Sequence, residues 1–210
     1  MDDALLKLAT WLSPAFPVGA FSYSHGLEYA IHSGAVVDRE TAQSWIEACL
    51  REGAGRNDAI LLSHTLRGGE VEELDALARA LAPSRERLLE TEAQGAAFAR
   101  TQSEITETPI KALAYPVAVG FVARQHGCPE RETLTLYLQA FSSNLVSACI
   151  RLVPIGQNDG QKIIAALYSA IGETADEAMS SSLDDLGGCV MNADIASMRH
   201  ETQPVRLFRS

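Results

Sequence analysis

A chain of 210 residues with 47% apolar side chains is long enough to bury a sizeable core within one domain. Its 27 acidic residues against 17 basic ones, a formal net charge of −10, repel phosphate backbones and anionic lipid, so no nucleic acid and no membrane surface is expected as a partner. The four cysteines, Cys49, Cys128, Cys149 and Cys189, form no CxxC pair, the opening Asp2-Asp3 lacks the positive charge of a secretory signal, and the longest apolar run, Ala112–Ala123, is short and carries Pro116. A cytoplasmic protein is expected.

Leu5, Leu8, Ala9 and Leu12 mark one face of a first helix that Pro14 must end. The following stretch, Ser13–Ser22, packs two prolines, a glycine and two phenylalanines into a loop where polar residues are usual. An apolar loop folds back on the core as a plug, the commoner outcome, or docks a partner. In the second case Phe16, Pro17, Phe21 and Tyr23 are the contact residues.

A second helix is expected at about Ser24–Ser33, with Ser24 as N-cap and Gly34 at its end. It carries His25, Glu28 and His32, weak candidates for metal ligands. His25 and His32 stand two turns apart, about 10.5 Å by helical rise, too far to share one ion. The three residues therefore read as capped and salt-linked helix positions, each singly replaceable by Ala with function largely preserved.

Asp38 opens a third helix with the stripe Ala42, Trp45, Ile46, Cys49 and Leu50, which Gly53 and Gly55 break. Helices follow at Asn57–Leu66, from Val71 to about Leu81, and from Ser84 to about Arg100, where Ala93, Ala96 and Ala97 permit close helix approach. After a loop around Thr106–Pro109, a helix starts near Pro116 and closes at Gly127, and Pro129 begins the next. Apolar/polar alternation persists nowhere, so the spacing predicts an all-α fold, a single-domain bundle of roughly eight to ten helices without a significant sheet.

The helix after Pro129 runs through Leu134, Leu138, Phe141, Leu145 and Cys149 into the elbow Arg151–Lys162, beyond which Ile163, Ile164, Leu167 and Ile171 resume helical spacing. Pro154 stops one helix, Gly156 turns the chain, and Asn158 or Asp159 can cap the next. That account leaves unexplained the crowding of Gln157, Asn158, Asp159, Gln161 and Lys162, a set suited to binding another protein or gating a polar passage.

Past Gly172 the chain turns acidic and polar, a last helix is expected at roughly Met191–His200, and Glu201–Ser210 forms a tail in which Arg206, Leu207, Phe208 and Arg209 have the composition of interface anchors. The chain thus divides into a helical domain, residues 1–200, and a partner-docking tail, residues 201–210, that as a terminal segment contributes little to the core. A phosphate loop, GxGxxG, HExxH, GxSxG and zinc-spaced cysteines are all missing, which favours a binding or scaffold protein over an enzyme.

Four segments together carry a resemblance: PAFPVGAFSYSHGLE at Pro14–Glu28, TPIKALAYPVAVG at Thr108–Gly120, PIGQNDGQK at Pro154–Lys162 and DIASMRHETQPVRLFRS at Asp194–Ser210. In this order and over nearly the whole chain they resemble the urease accessory protein UreF family. Pro204-Val205 depart from the Tyr-Ser that the family pattern leads one to expect. The resemblance implies an all-helical, cytoplasmic, usually homodimeric protein that assembles with UreD (also called UreH) and the GTPase UreG on the urease apoprotein. It implies no tightly bound cofactor: nickel is handled by the complex and GTP is bound by UreG. Regulation of GTP hydrolysis by UreG, or carriage of nickel by this chain, are the alternatives.

Overall fold

One helix has no fully exposed residue, and several others pack around it. In the computed structural model, which describes residues 3–210, α4 (Ala54–Leu66) buries Ala59, Ile60, Leu61 and Leu62 in succession, as a helix enclosed on every side must. Around it the chain runs α1 (Asp3–Trp11), α2 (Leu27–His32), α3 (Arg39–Arg51), α5 (Val71–Ala80), α6 (Arg85–Thr106), α7 (Tyr115–Gln125), α8 (Glu130–Leu152), α9 (Gln157–Ala166), α10 (Tyr168–Ser180) and α11 (Met191–His200). These make eleven α-helices among the described residues, with no strand; α9 and α10 are parted by Leu167 alone. The all-α expectation holds.

The second inner helix is α7, which buries Val117, Ala118, Val119, Val122 and Ala123 and packs along α4. Gly120 makes that packing possible: a Cβ there would stand 2.8 Å from the Thr65 Cβ and 3.0 Å from the Leu62 carbonyl oxygen. Helix α8 supplies Leu134, Leu138, Leu145 and Cys149 to the same core. Each fully buried aliphatic or aromatic side chain contributes about 1.5–3 kcal/mol.

Local chemistry sets the helix ends. Asp38 accepts the Thr41 amide at 2.9 Å while Thr41 Oγ1 accepts the Asp38 amide at 3.1 Å, a reciprocal cap on α3. Ser84 caps α6 through the Arg87 amide at 3.1 Å. Helix α6 runs past its expected end at Arg100 to Thr106; Gln102 in this last stretch is buried, and Ser103 and Thr106 satisfy their hydroxyls on the carbonyls of Ala99 and Gln102. Ala93, Ala96 and Ala97 are only half-buried; α6 turns Gln94, Phe98 and Gln102 inward instead.

The acidic, polar stretch after Gly172 begins as helix. Helix α10 continues to Ser180, burying Thr174, Ala175 and Ala178. Its outward acids form a seam of ion pairs: Glu173 to Arg51 at 2.8 Å, Asp176 to Arg131 at 2.7 Å and Glu177 to Arg56 at 2.8 Å. Helix α2 is shorter than expected: Gly26 holds the N-cap position and Ser24 lies outside the helix.

Candidate partner-binding surfaces and the buried network between them

At the elbow, α8 ends at Leu152 and α9 begins at Gln157 with Gly156, not Asn158 or Asp159, at the N-cap position. Asp159 lies in the first turn, where the Lys162 ammonium at 2.9 Å holds its carboxyl below the usual value. Gly160 is buried against Ile150 and Val146, so the helix is fixed on its inner side. Gln157, Asn158, Gln161 and Lys162 are exposed. The structure thus groups the five elbow residues on one rigid outward turn.

The N-terminal loop splits in two. Phe16 and Tyr23 are buried, and Phe16 packs on Phe98 with ring centroids 5.5 Å apart. Pro17 and Phe21 face out, Phe21 at 68% exposure. The loop is a plug that leaves Pro14, Ala15, Pro17 and Phe21 on the surface.

The tail is folded onto the bundle, so the expectation that it adds little to the core fails. Phe208 and Ser210 are buried, while Arg206, Leu207 and Arg209 remain exposed. Backbone N–H groups of Leu207 and Phe208 donate to the Glu28 carboxylate at 2.7 and 2.9 Å. The Arg209 amide donates to the Ser22 carbonyl at 2.8 Å, and the Ser24 amide to the Ser210 carbonyl at 2.8 Å. Arg151 of α8 lies over the Phe208 ring at 4.5 Å and donates to the Phe21 carbonyl at 3.2 Å, tying the base of the elbow to both loop and tail.

His25, Glu28 and His32 go three ways. His25 sits just before α2 with φ 56°, its Nε2 is 2.8 Å from Glu90, and its ring meets Phe141 edge-on at 5.0 Å. Gly26, also at positive φ, lets α11 approach: a Cβ there would stand 2.4 Å from the Ser197 amide nitrogen. Glu28 receives the tail and, at 3.0 Å, His200 Nε2. His32 is exposed beside Tyr29. Among the described residues no group of three or more His, Cys, Asp or Glu side chains could hold a metal ion.

What joins these pieces is a buried polar network that the sequence reading missed. His200, fully buried, lies between Glu28 and Glu86, its Nδ1 2.6 Å from the latter; both ring nitrogens thus face carboxylate acceptors. Glu86 also takes Arg206 at 2.5 Å. One turn on, Glu90 pairs with Arg87 and His25 and accepts from Gln94 at 2.9 Å and Ser210 Oγ at 2.8 Å. Burial works against the charge on Glu90, but Arg87 and His25 outweigh it and bring the carboxyl down to about 2. Burial, with Arg87 beside it, pushes His25 below its ordinary value. For Glu28, hydrogen bonds from His200, Leu207 and Phe208 outweigh the opposing effect of burial and hold the carboxyl low. A signal was present: Arg87, Glu90, Gln94 and Gln102 recur on the Phe98 face of α6, an inward polar stripe at helical spacing.

A match to the UreF family model covers residues 36–168, from before α3 to the start of α10. Over all 210 residues of both chains, this one is 54% identical to the urease accessory protein UreF of Cereibacter sphaeroides (strain ATCC 17029 / ATH 2.4.9). The chain belongs to the UreF family. It is likewise 50% identical over 215 aligned positions to urease accessory protein UreF 1 of Brucella canis (strain ATCC 23365), covering 99% of this chain and 94% of that one. The family-model match includes the elbow, and the full-length matches also span the plug loop, the tail and the network between them.

Proposed function

We propose that this chain is a non-catalytic scaffold and chaperone of urease maturation. It assembles in the cytoplasm with UreD (UreH) and the GTPase UreG on the urease apoprotein, so that nickel is inserted as UreG hydrolyses GTP. The observation that carries the reading is end-to-end similarity to proteins named urease accessory protein UreF. The geometry supports a scaffold: the elbow, Pro17 with Phe21, and the exposed tail residues are outward groups braced from beneath by Arg151 and the buried network. In this reading nickel and GTP belong to the complex. A ridge of exposed apolar side chains on α11 and the tail, Met191, Ile195, Met198, Val205 and Leu207, supports a protein contact there and, with it, homodimer formation.

A second reading, control of GTP hydrolysis by UreG, is favoured by the exposed amides and ammonium of Gln157, Gln161 and Lys162. A nickel carrier has less support, because His25, Glu28 and His32 are directed to separate surroundings. The test is complementation: in cells carrying a urease operon without its own UreF, this chain is expected to restore urease activity and nickel content. Full-length, soluble protein that restores neither overturns the proposal.

A further inference from the structure

Between the N-terminal loop and helices α6, α7 and α8 lies a cavity of about 400 Å³, within the size range of small-molecule sites. Its walls are mostly apolar, with Phe16, Ala140 and Phe141 among them and Phe21 on the lining; Gln139, Ser143 and Asn144 of α8 add uncharged polar groups, and the charged groups on the lining are Asp58, Arg87 and Glu90, with His25 beside them. Glu90 is engaged by Arg87, His25, Gln94 and Ser210. Asp58 is different. Its Oδ2 accepts the Tyr137 hydroxyl at 2.8 Å, and its Oδ1 accepts no hydrogen bond among the described residues.

The charges on the lining do not cancel. Arg87 is one positive group facing two carboxylates, Glu90 and Asp58. His25 is held toward its neutral form, and the Tyr115 and Tyr137 phenols are both raised, so they stay protonated. Burial pushes the Asp58 carboxyl up to about 6, which still leaves it ionised at pH 7.5. An anion would meet two carboxylates. A neutral apolar guest would cover a carboxylate and give it no partner, which is unfavourable. A divalent metal ion needs several converging donors, and no such group is present among the described residues.

We propose that this cavity binds a small organic cation, a primary ammonium or guanidinium head on a short apolar shaft, with the head on Asp58 and the shaft against Phe16 and Phe141. A soft, singly charged head needs one carboxylate and aromatic surroundings rather than a full coordination shell. The cavity shares Phe21 with the proposed loop surface, while Asp58, the group assigned to the cation, lies outside the partner surfaces proposed above.

Titration calorimetry of the full chain at pH 7.5 tests this with n-butylguanidinium and n-butylammonium as ligands, and n-butanol, butyrate and nickel ion alone as controls. One organic cation per chain is expected to bind, at least about tenfold more tightly than butanol or butyrate. Asp58→Asn is expected to weaken it by at least about tenfold. Ala140→Leu, which fills the cavity and changes no charge, is expected to do the same, each variant being checked by its melting curve. Failure of both cations to bind the wild-type chain overturns the proposal, as does undiminished binding to a folded Asp58→Asn protein or equal binding of butanol. Stoichiometric nickel binding that depends on Asp58, with no organic cation bound, also overturns it.

Discussion

Glu28 and Phe208 stand 180 positions apart in the chain, and the backbone N–H of Phe208 donates to the Glu28 carboxylate at 2.9 Å. The same carboxylate takes the Leu207 amide and His200. Replacing Glu28 by Ala strands those donors in a largely buried setting and is expected to cost on the order of 3 kcal/mol, measured by urea unfolding. Removing Arg206–Ser210 is expected to lower the melting temperature by several degrees, because Phe208 and the hydrogen bonds to Ser22 and Ser24 go with it. Unchanged melting in both variants would show that the tail does not hold the bundle in solution.

Phe16 and Phe21, five positions apart, are expected to separate stability from binding. Phe16→Ala removes a buried ring from contact with Phe98 and is expected to cost about 3 kcal/mol. Phe21→Ala removes an exposed ring and is expected to change stability by less than about 0.5 kcal/mol while weakening co-purification with UreD. Paired melting curves and pull-downs check both; a destabilised Phe21→Ala protein would contradict the division of the loop.

Two buried carboxyls shape the pH dependence in opposite ways. Glu90, lowered from 4.5 to about 2 in the fold, contributes stability that is present above pH 4.5 and lost as pH falls through 2. Asp58 is raised from 3.8 to about 6, so its ionisation opposes folding progressively from pH 3.8 upward, with the full effect above 6. Each displacement corresponds to about 3 kcal/mol. Asp58→Asn is therefore expected to be more stabilising at pH 7.5 than at pH 3.5, and Glu90→Gln more destabilising at pH 7.5 than at pH 2. Urea midpoints across this range read both; pH-independent offsets would contradict the assigned environments.

At the elbow, Lys162 and Asp159 form an exposed i,i+3 pair at 2.9 Å, an interaction of small net value. Lys162→Ala is expected to melt within about 1 °C of the parent. If the turn is a recognition surface, the same change reduces recruitment of UreG or activation of urease. Normal melting with recruitment and activation both intact would return this turn to an ordinary helix connection.

The all-α class was legible because apolar spacing near 3.6 residues runs through nearly every segment, and the last helix forms where the spacing places it, at about Met191–His200. The extent of α6 and α10 was not, since the burial of Gln102 and of Thr174, Ala175 and Ala178, with cross-helix ion pairs, anchors stretches whose composition is polar. The elbow and exposed loop residues were visible as misplaced polarity and misplaced apolarity. The role of Glu28 was hidden for another reason. Its partners His200, Leu207 and Phe208 come from the far end of the chain, and no local spacing encodes that pairing.

The central claim is that this chain organises other proteins through its rigid outer surfaces. Its most direct measurement is co-expression of the full chain with UreD and UreG followed by affinity purification on this chain, with and without GTP. A stable assembly containing UreD, to which UreG is added and from which Lys162→Ala or removal of Arg206–Ser210 releases a partner while this chain stays folded, is the expected result. Recovery of the folded chain alone under both nucleotide conditions would contradict it.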